Sequence, residues 1–74
     1  MENPLTREQE SLRSRRVEDM TEAELSLWIN ACDKMVIWVR PAKARQTWRA
    51  GRKRAELEIA KQEARSRRRR AHLG

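Results

Sequence analysis

Past Pro41 the chain sets out Arg45, Arg49, Arg52, Lys53, Arg54, Lys61, Arg65, Arg67, Arg68, Arg69 and Arg70 along one stretch of good helix formers. Cations at this density suit a polyanion backbone, because each contact with a phosphate releases condensed counterions. Arginine outnumbers lysine here, and its planar guanidinium adds bidentate phosphate contacts and stacking on unpaired bases. That favours RNA, or a mixed protein–RNA surface, over coating of duplex DNA. The expected nucleic-acid-binding residues are Arg49, Arg52, Lys53, Arg54, Lys61, Arg65, Arg67, Arg68, Arg69 and Arg70. Scattered surface charge is ordinarily only solvated. Five of the six residues from Arg65 to Arg70 are arginine, however, and their mutual repulsion calls for a compensating partner. Residues 1–20 and 21–40 each carry a net charge of −1, and residues 41–74 carry +9. The whole excess of +7 therefore lies past Pro41, an asymmetry that reads as an electrostatic footprint.

Other chemistries find little to work with. His72 is the sole histidine, near the basic run, without His, Cys or carboxylate at ligand spacing. A catalytic role would need an oriented partner and a pocket. Gly51 and Gly74 are the only glycines, so no loop cradles a phosphate. Cys32 stands alone, which excludes a disulfide framework and a cysteine metal site. It reads as a small buried apolar residue in a reducing, cytoplasmic setting. With 74 residues, the chain buries only about 60% of its unfolded surface. That leaves no walled cavity of about 300 Å³ for a small-molecule substrate. No catalytic residue, metal or cofactor is expected. No apolar run is long enough to span a membrane, and MENPLTREQE has no signal-peptide core. The expectation is a non-enzymatic, cytoplasmic, monomeric binding protein.

The elements that must position the basic row follow from caps and periodicity. Thr21 and Glu24 have capping-box spacing, with Met20 and Leu25 at the positions of a hydrophobic staple. A helix should start at Glu22. Leu25, Trp28, Ile29, Cys32, Val36 and Val39 follow at spacings of three and four, giving one core face. Leu27, Met35, Ile37 and Trp38 widen the apolar surface, so this helix needs more than one neighbour. Met35–Val39 also reads as a short strand. Arg40-Pro41 ends the helix, and a second one should run from Ala42 to about Arg70. Glu63 and Arg67 are spaced to pair, and Glu58 can reach Lys61. Gly51 marks either close packing or a hinge. Trp28 and Trp38 read as core residues, and Trp48 either closes the core between the helices or offers a ring to a base, with the core role favoured.

The class expected is all-α: a short apolar helix, then a long basic one, with flexible ends. Residues 1–20 form a flexible segment, 21–60 a small helical core, and 61–74 an arginine-rich helix end and tail. Mean hydropathy of −1.03 and 39% charged residues lie towards the disordered end of the range. Thr6 and Gln9 have capping-box spacing, so a helical stretch over about Arg7–Arg16 is possible. Leu12, Val17 and Met20, with Glu18 and Asp19, are the residues expected to dock on a protein partner.

The short chain, the polar start MENPLTREQE, the helix start MTEAELSLW and the end RSRRRR together resemble small phage-encoded transcription regulators. The resemblance implies binding to host RNA polymerase, inhibition of initiation and antitermination, with the basic helix on RNA or DNA. The end is also similar to the arginine-rich helices of lambdoid antitermination proteins, which usually place that helix N-terminally. A ribosome-associated rRNA-binding protein shares the same plan. A small DNA-binding repressor or excisionase fits less well, because the sequence offers no third helix to brace a helix-turn-helix.

Overall fold

The computed structural model describes residues 3–73, with side chains through residue 68. Its elements are α1 (Arg7–Leu12), a 3-10 turn (Val17–Asp19), α2 (Glu22–Trp38) and α3 (Ala42–Leu73). The chain is all-α, with no strand among the described residues. Met35–Trp38 are helical, and Val39 turns extended as the C-cap.

Both expected capping boxes form. The Glu24 N–H donates to the Thr21 hydroxyl at 3.2 Å, and the Glu24 carboxylate accepts from the Thr21 N–H at 2.9 Å. Gln9 and Thr6 repeat the exchange at 3.1 and 3.0 Å. Each satisfies N–H groups that a helix start leaves open. At the other end of α2, Arg45 donates to the carbonyls of Val39 at 3.2 Å and Arg40 at 2.7 Å. That contact closes the turn at Pro41.

Helices α2 and α3 form an antiparallel hairpin. Asp33 meets Arg52 near the turn, and farther out the Gln62 amide donates to the Met20 carbonyl at 2.9 Å. Gly51 lies in unbroken helix without a positive φ. A methyl group there would stand 3.9 Å from the Cys32 sulfur, an ordinary contact. Gly51 thus sits in continuous helix over Cys32 with room for a methyl group, so the packing of α3 on α2 does not itself require glycine there.

The expectation for residues 1–20 needs correction. Leu12 is 4% exposed and Met20 2%, and both join Leu25 and Ala55 in the core cluster. Val17 packs against that cluster, while Glu18 and Asp19 stay exposed. The segment expected to dock on another protein instead folds onto its own hairpin, and the core begins well before residue 21. The cause lies in the breadth of the α2 apolar surface. One helix, α3, cannot cover it, and burying the remainder is favourable at about 25 cal/mol per Å².

Gln9 anchors this third layer. It is 1% exposed, and its amide donates to the Leu27 carbonyl at 3.2 Å and to Asn30 at 3.0 Å. Its side-chain oxygen accepts from Lys34 at 3.1 Å as well as from Thr6. Of the expected core residues, Leu25 and Cys32 are fully buried. Trp28, Ile29, Val36, Val39 and Trp48 are only half-buried. Ala31, Met35 and Ala55 complete the interior.

Helix α3 outruns its neighbours. Gln62 is level with Met20, which precedes α2, and the helix continues to Leu73. Glu22 at the start of α2 still faces Glu63, Ser66 and Arg67, so the overhang past Arg67 is roughly 9 Å at 1.5 Å per residue. Among the described residues, no helix is long and apolar enough to cross a membrane.

Candidate nucleic-acid interface

The cations expected to bind nucleic acid fall into three groups in the structure. Arg49, Lys53, Arg54, Lys61 and Arg68 are exposed and form no ion pair among the described residues. Arg49, Lys53 and Lys61 recur at multiples of four along α3, with exposed Leu57 in the same row. This row lies opposite the face holding Ala55 and Glu58, which are buried. The packing of α3 on α2 therefore turns the row outward.

The second group is engaged within the fold. Arg52 donates to Asp33 at 2.6 Å and also pairs with Glu56. It ties α3 to α2, and its expected availability to a phosphate is corrected accordingly. Arg65 faces the buried carboxylate of Glu58 at 3.4 Å. The expected reach of Glu58 to Lys61 does not form. Glu58 lies on the inner face, and Arg65, two turns on, stands above the same face. Arg67 pairs loosely with Glu63 at 3.8 Å, the expected i,i+4 partner. Arg65 and Arg67 are both well exposed despite these contacts. The third group is Arg69 and Arg70, which continue α3; their side chains, like that of His72, lie outside the described residues.

The fold also brings up cations that sequence reasoning did not select. Arg13, Arg15 and Arg16 follow α1 and stand beside α3. An open depression of about 380 Å³ is lined by Arg15, Arg16, Val17, Glu18, Trp28, Gly51 and Arg54. A neighbouring depression of about 460 Å³ shares Trp28, Gly51 and Arg54 and adds Arg13, Thr47, Trp48 and Ala50. Together they make a groove between the N-terminal segment and α3. Trp28 and Trp48 meet there with ring centroids 5.6 Å apart and planes tilted by 50°. The Arg13 guanidinium lies 5.6 Å from the centre of the Trp48 ring, within cation–π range. The sequence signal was the cluster Arg13-Ser-Arg-Arg, masked by acidic neighbours that bring residues 1–20 to a net −1.

Two of these arginines are themselves partly engaged. Arg15 pairs with Glu24 at 2.5 Å and donates to the Asp19 carbonyl at 2.9 Å, holding the 3-10 turn against the start of α2. The Thr21 backbone N–H, with further help from the Thr21 side chain and Arg15, holds the Glu24 carboxyl below its ordinary value; desolvation opposes this. Arg16 meets Glu18 at 3.4 Å, with both side chains well exposed.

Cys32 is buried beneath Gly51, and burial pushes its thiol up to about 11, so it is a poor nucleophile at neutral pH. Among the described residues, no group of three His, Cys, Asp or Glu side chains is placed to hold a metal ion. What the surface can do chemically is attract phosphate and stack planar groups. No protein-family model matches the sequence, and comparison with curated proteins and with solved structures likewise finds no match.

Proposed function

We propose that this chain is a non-enzymatic nucleic-acid-binding module that presents α3 to a phosphate backbone. The observation that carries this reading is the outward row of cations on α3. Arg49, Lys53, Lys61 and Arg68 face away from the core and pair with no acid among the described residues. Folding of the hairpin does not use them, whereas a polyanion would engage them all. Each phosphate neutralised contributes about 0.7 to the salt slope on a single strand and about 0.9 on a duplex. Four contacts by this row give a slope of about −3 on single strands. Replacing Arg49, Lys53, Lys61 and Arg68 together with Gln should flatten that slope and leave the melting temperature unchanged. Equal slopes for parent and variant would reduce the row to a solvated face.

A narrower reading is a phage regulator that holds host RNA polymerase while α3 contacts RNA or DNA. It requires a surface for protein docking, and burial of Leu12 and Met20 moves that surface away from the N-terminal segment. Ile37 and Trp38, 86% and 43% exposed at the hairpin turn, are the observation that favours it. Affinity capture from host lysate with and without nuclease separates the possibilities. Polymerase subunits retained after nuclease, and lost on Ile37→Glu, support the narrower reading. Ribosomal subunits in their place support the ribosome-associated one.

A further inference from the structure

We infer that the groove between residues 13–18 and α3 is a site for an unpaired nucleotide, so that the module holds single strands in preference to duplexes. This rests on the nucleic-acid reading above and assigns that function a second surface, distinct from the outward row. Trp28 and Trp48 are two of only three tryptophans in a chain without Phe or Tyr. Both are half-buried, and both line a depression open to solvent. A ring that serves only the core has no need of a mouth. The Arg13 guanidinium already rests over Trp48. It is about half exposed, and its only ion pair among the described residues is an exposed one to Glu10 at 3.2 Å. Exposed pairs of this kind hold weakly, so a planar group of larger area can displace Arg13 from the ring. An aromatic face of this kind is what a nucleobase stacks on when it is not already stacked in a duplex.

The phosphate side of the site is next door. Arg16 and Arg54 flank the adjoining depression, which shares Trp28 and Gly51 with the first. Arg54 pairs with no acid among the described residues, and Arg16 meets only Glu18. At Gly51 the absent side chain leaves the floor of both depressions low. A base on Trp48 thus places its phosphate between Arg16 and Arg54, with the displaced Arg13 close enough to join them. A duplex meets the outward row through its backbone but has no free base face to insert.

The experiment uses the full chain carrying Trp38→Phe, which removes the tryptophan at the hairpin turn and leaves the groove pair as reporters. Oligo-uridine, oligo-thymidine and a short DNA duplex are titrated at low salt, following tryptophan emission and anisotropy. Quenching by a single strand, with binding but no quenching by the duplex, is the expected result. Quenching by only one of the two single strands assigns the sugar as well. Trp48→Leu should weaken single-strand binding about tenfold, the scale of one base stacked on an aromatic ring, and leave duplex binding unchanged. Arg16→Gln with Arg54→Gln alters only exposed side chains and should also weaken single-strand binding more than duplex binding. Single-strand affinity unchanged in that double variant, or quenching equal for duplex and single strand, overturns the groove assignment while the outward row stands. Absence of binding in every arm overturns both readings at once.

Discussion

Helix α3 carries arginine at both ends, yet the two ends occupy different surroundings. Between Ala42 and Gln62 the helix is flanked by α2 and by the folded N-terminal segment. Arg45 there caps the carbonyls of Val39 and Arg40, and Arg52 bridges Asp33 and Glu56. Beyond Gln62 the start of α2 is the neighbour seen among the described residues, with Glu22 facing Glu63, Ser66 and Arg67 across an open depression, and the contacts of Arg65 and Arg67 lengthen to 3.4 and 3.8 Å. Charge density alone does not distinguish the two halves. What sets Arg45 and Arg52 apart from Arg49, Lys53 and Arg54 in the same half, and from Arg68 beyond it, is a carbonyl or carboxylate of the fold within close reach. A basic run is therefore best read after asking which of its members the fold already engages.

The sharpest way to break this comparison is to remove the anchoring of the near half. Leu12→Ala or Met20→Ala should each cost about 2–5 kcal/mol, the usual range for emptying a packed site, measured by urea unfolding. Ile37→Ala, at an exposed position, should stay within about 0.5 kcal/mol. A comparably small loss at Leu12 would show that the N-terminal segment is not part of the core. Gln9→Ala should follow at about 1–3 kcal/mol, since it removes a buried side chain that closes the α1 capping box and donates to the Leu27 carbonyl and Asn30.

Gly51→Ala should stabilise by about 0.5–1 kcal/mol, because the added methyl meets Cys32 at ordinary distance and the helix gains a better former. A fall in melting temperature would mean that the two helices approach more closely than that. Arg52→Gln and Arg68→Gln sharpen the contrast along α3. The first should lower stability by up to about 1 kcal/mol with little change in salt slope. The second should reduce the slope by about 0.7 on single strands with no change in melting. The smallest effect concerns Glu24. Its carboxyl sits below its ordinary value in the folded chain, so its contribution is present above the ordinary carboxylate range. That contribution is lost as pH falls through the depressed value. Acid titration of parent and Glu24→Gln should differ above that range and converge below it.

Much of this architecture was legible locally. The two capping boxes, the break at Pro41 and the length of α3 follow from Thr6 with Gln9, Thr21 with Glu24, and a run of good helix formers. The fold-back of residues 7–20 was not. Leu12, Val17 and Met20 lie across a helix end and a 3-10 turn, so no single period links them. Gln9 is polar, and hydropathy assigns it to solvent although the capping box and Asn30 make its burial favourable. The breadth of the α2 apolar surface did call for a second neighbour; the sequence did not disclose that the neighbour was its own first helix. The groove was hidden for the same reason, since its two walls, residues 13–18 and 47–54, come from separate stretches of the chain. Spacing within either stretch says nothing about the other.

The hydrogen bond from Gln62 to the Met20 carbonyl has a consequence for synthesis. Chains grow from the N-terminus, so α1 and the 3-10 turn leave the ribosome first, while the helix that completes their seat comes last. At about 5–20 residues per second, translation separates Met20 from Gln62 by roughly 2–8 s. During that interval Leu12 and Met20 have no α3 to pack against. Gln9 can meet Leu27, Asn30 and Lys34 within that interval, whereas the seat against Ala55 and Gln62 forms only once α3 has emerged. The last helix to be made is therefore the one that completes the burial of Leu12 and Met20.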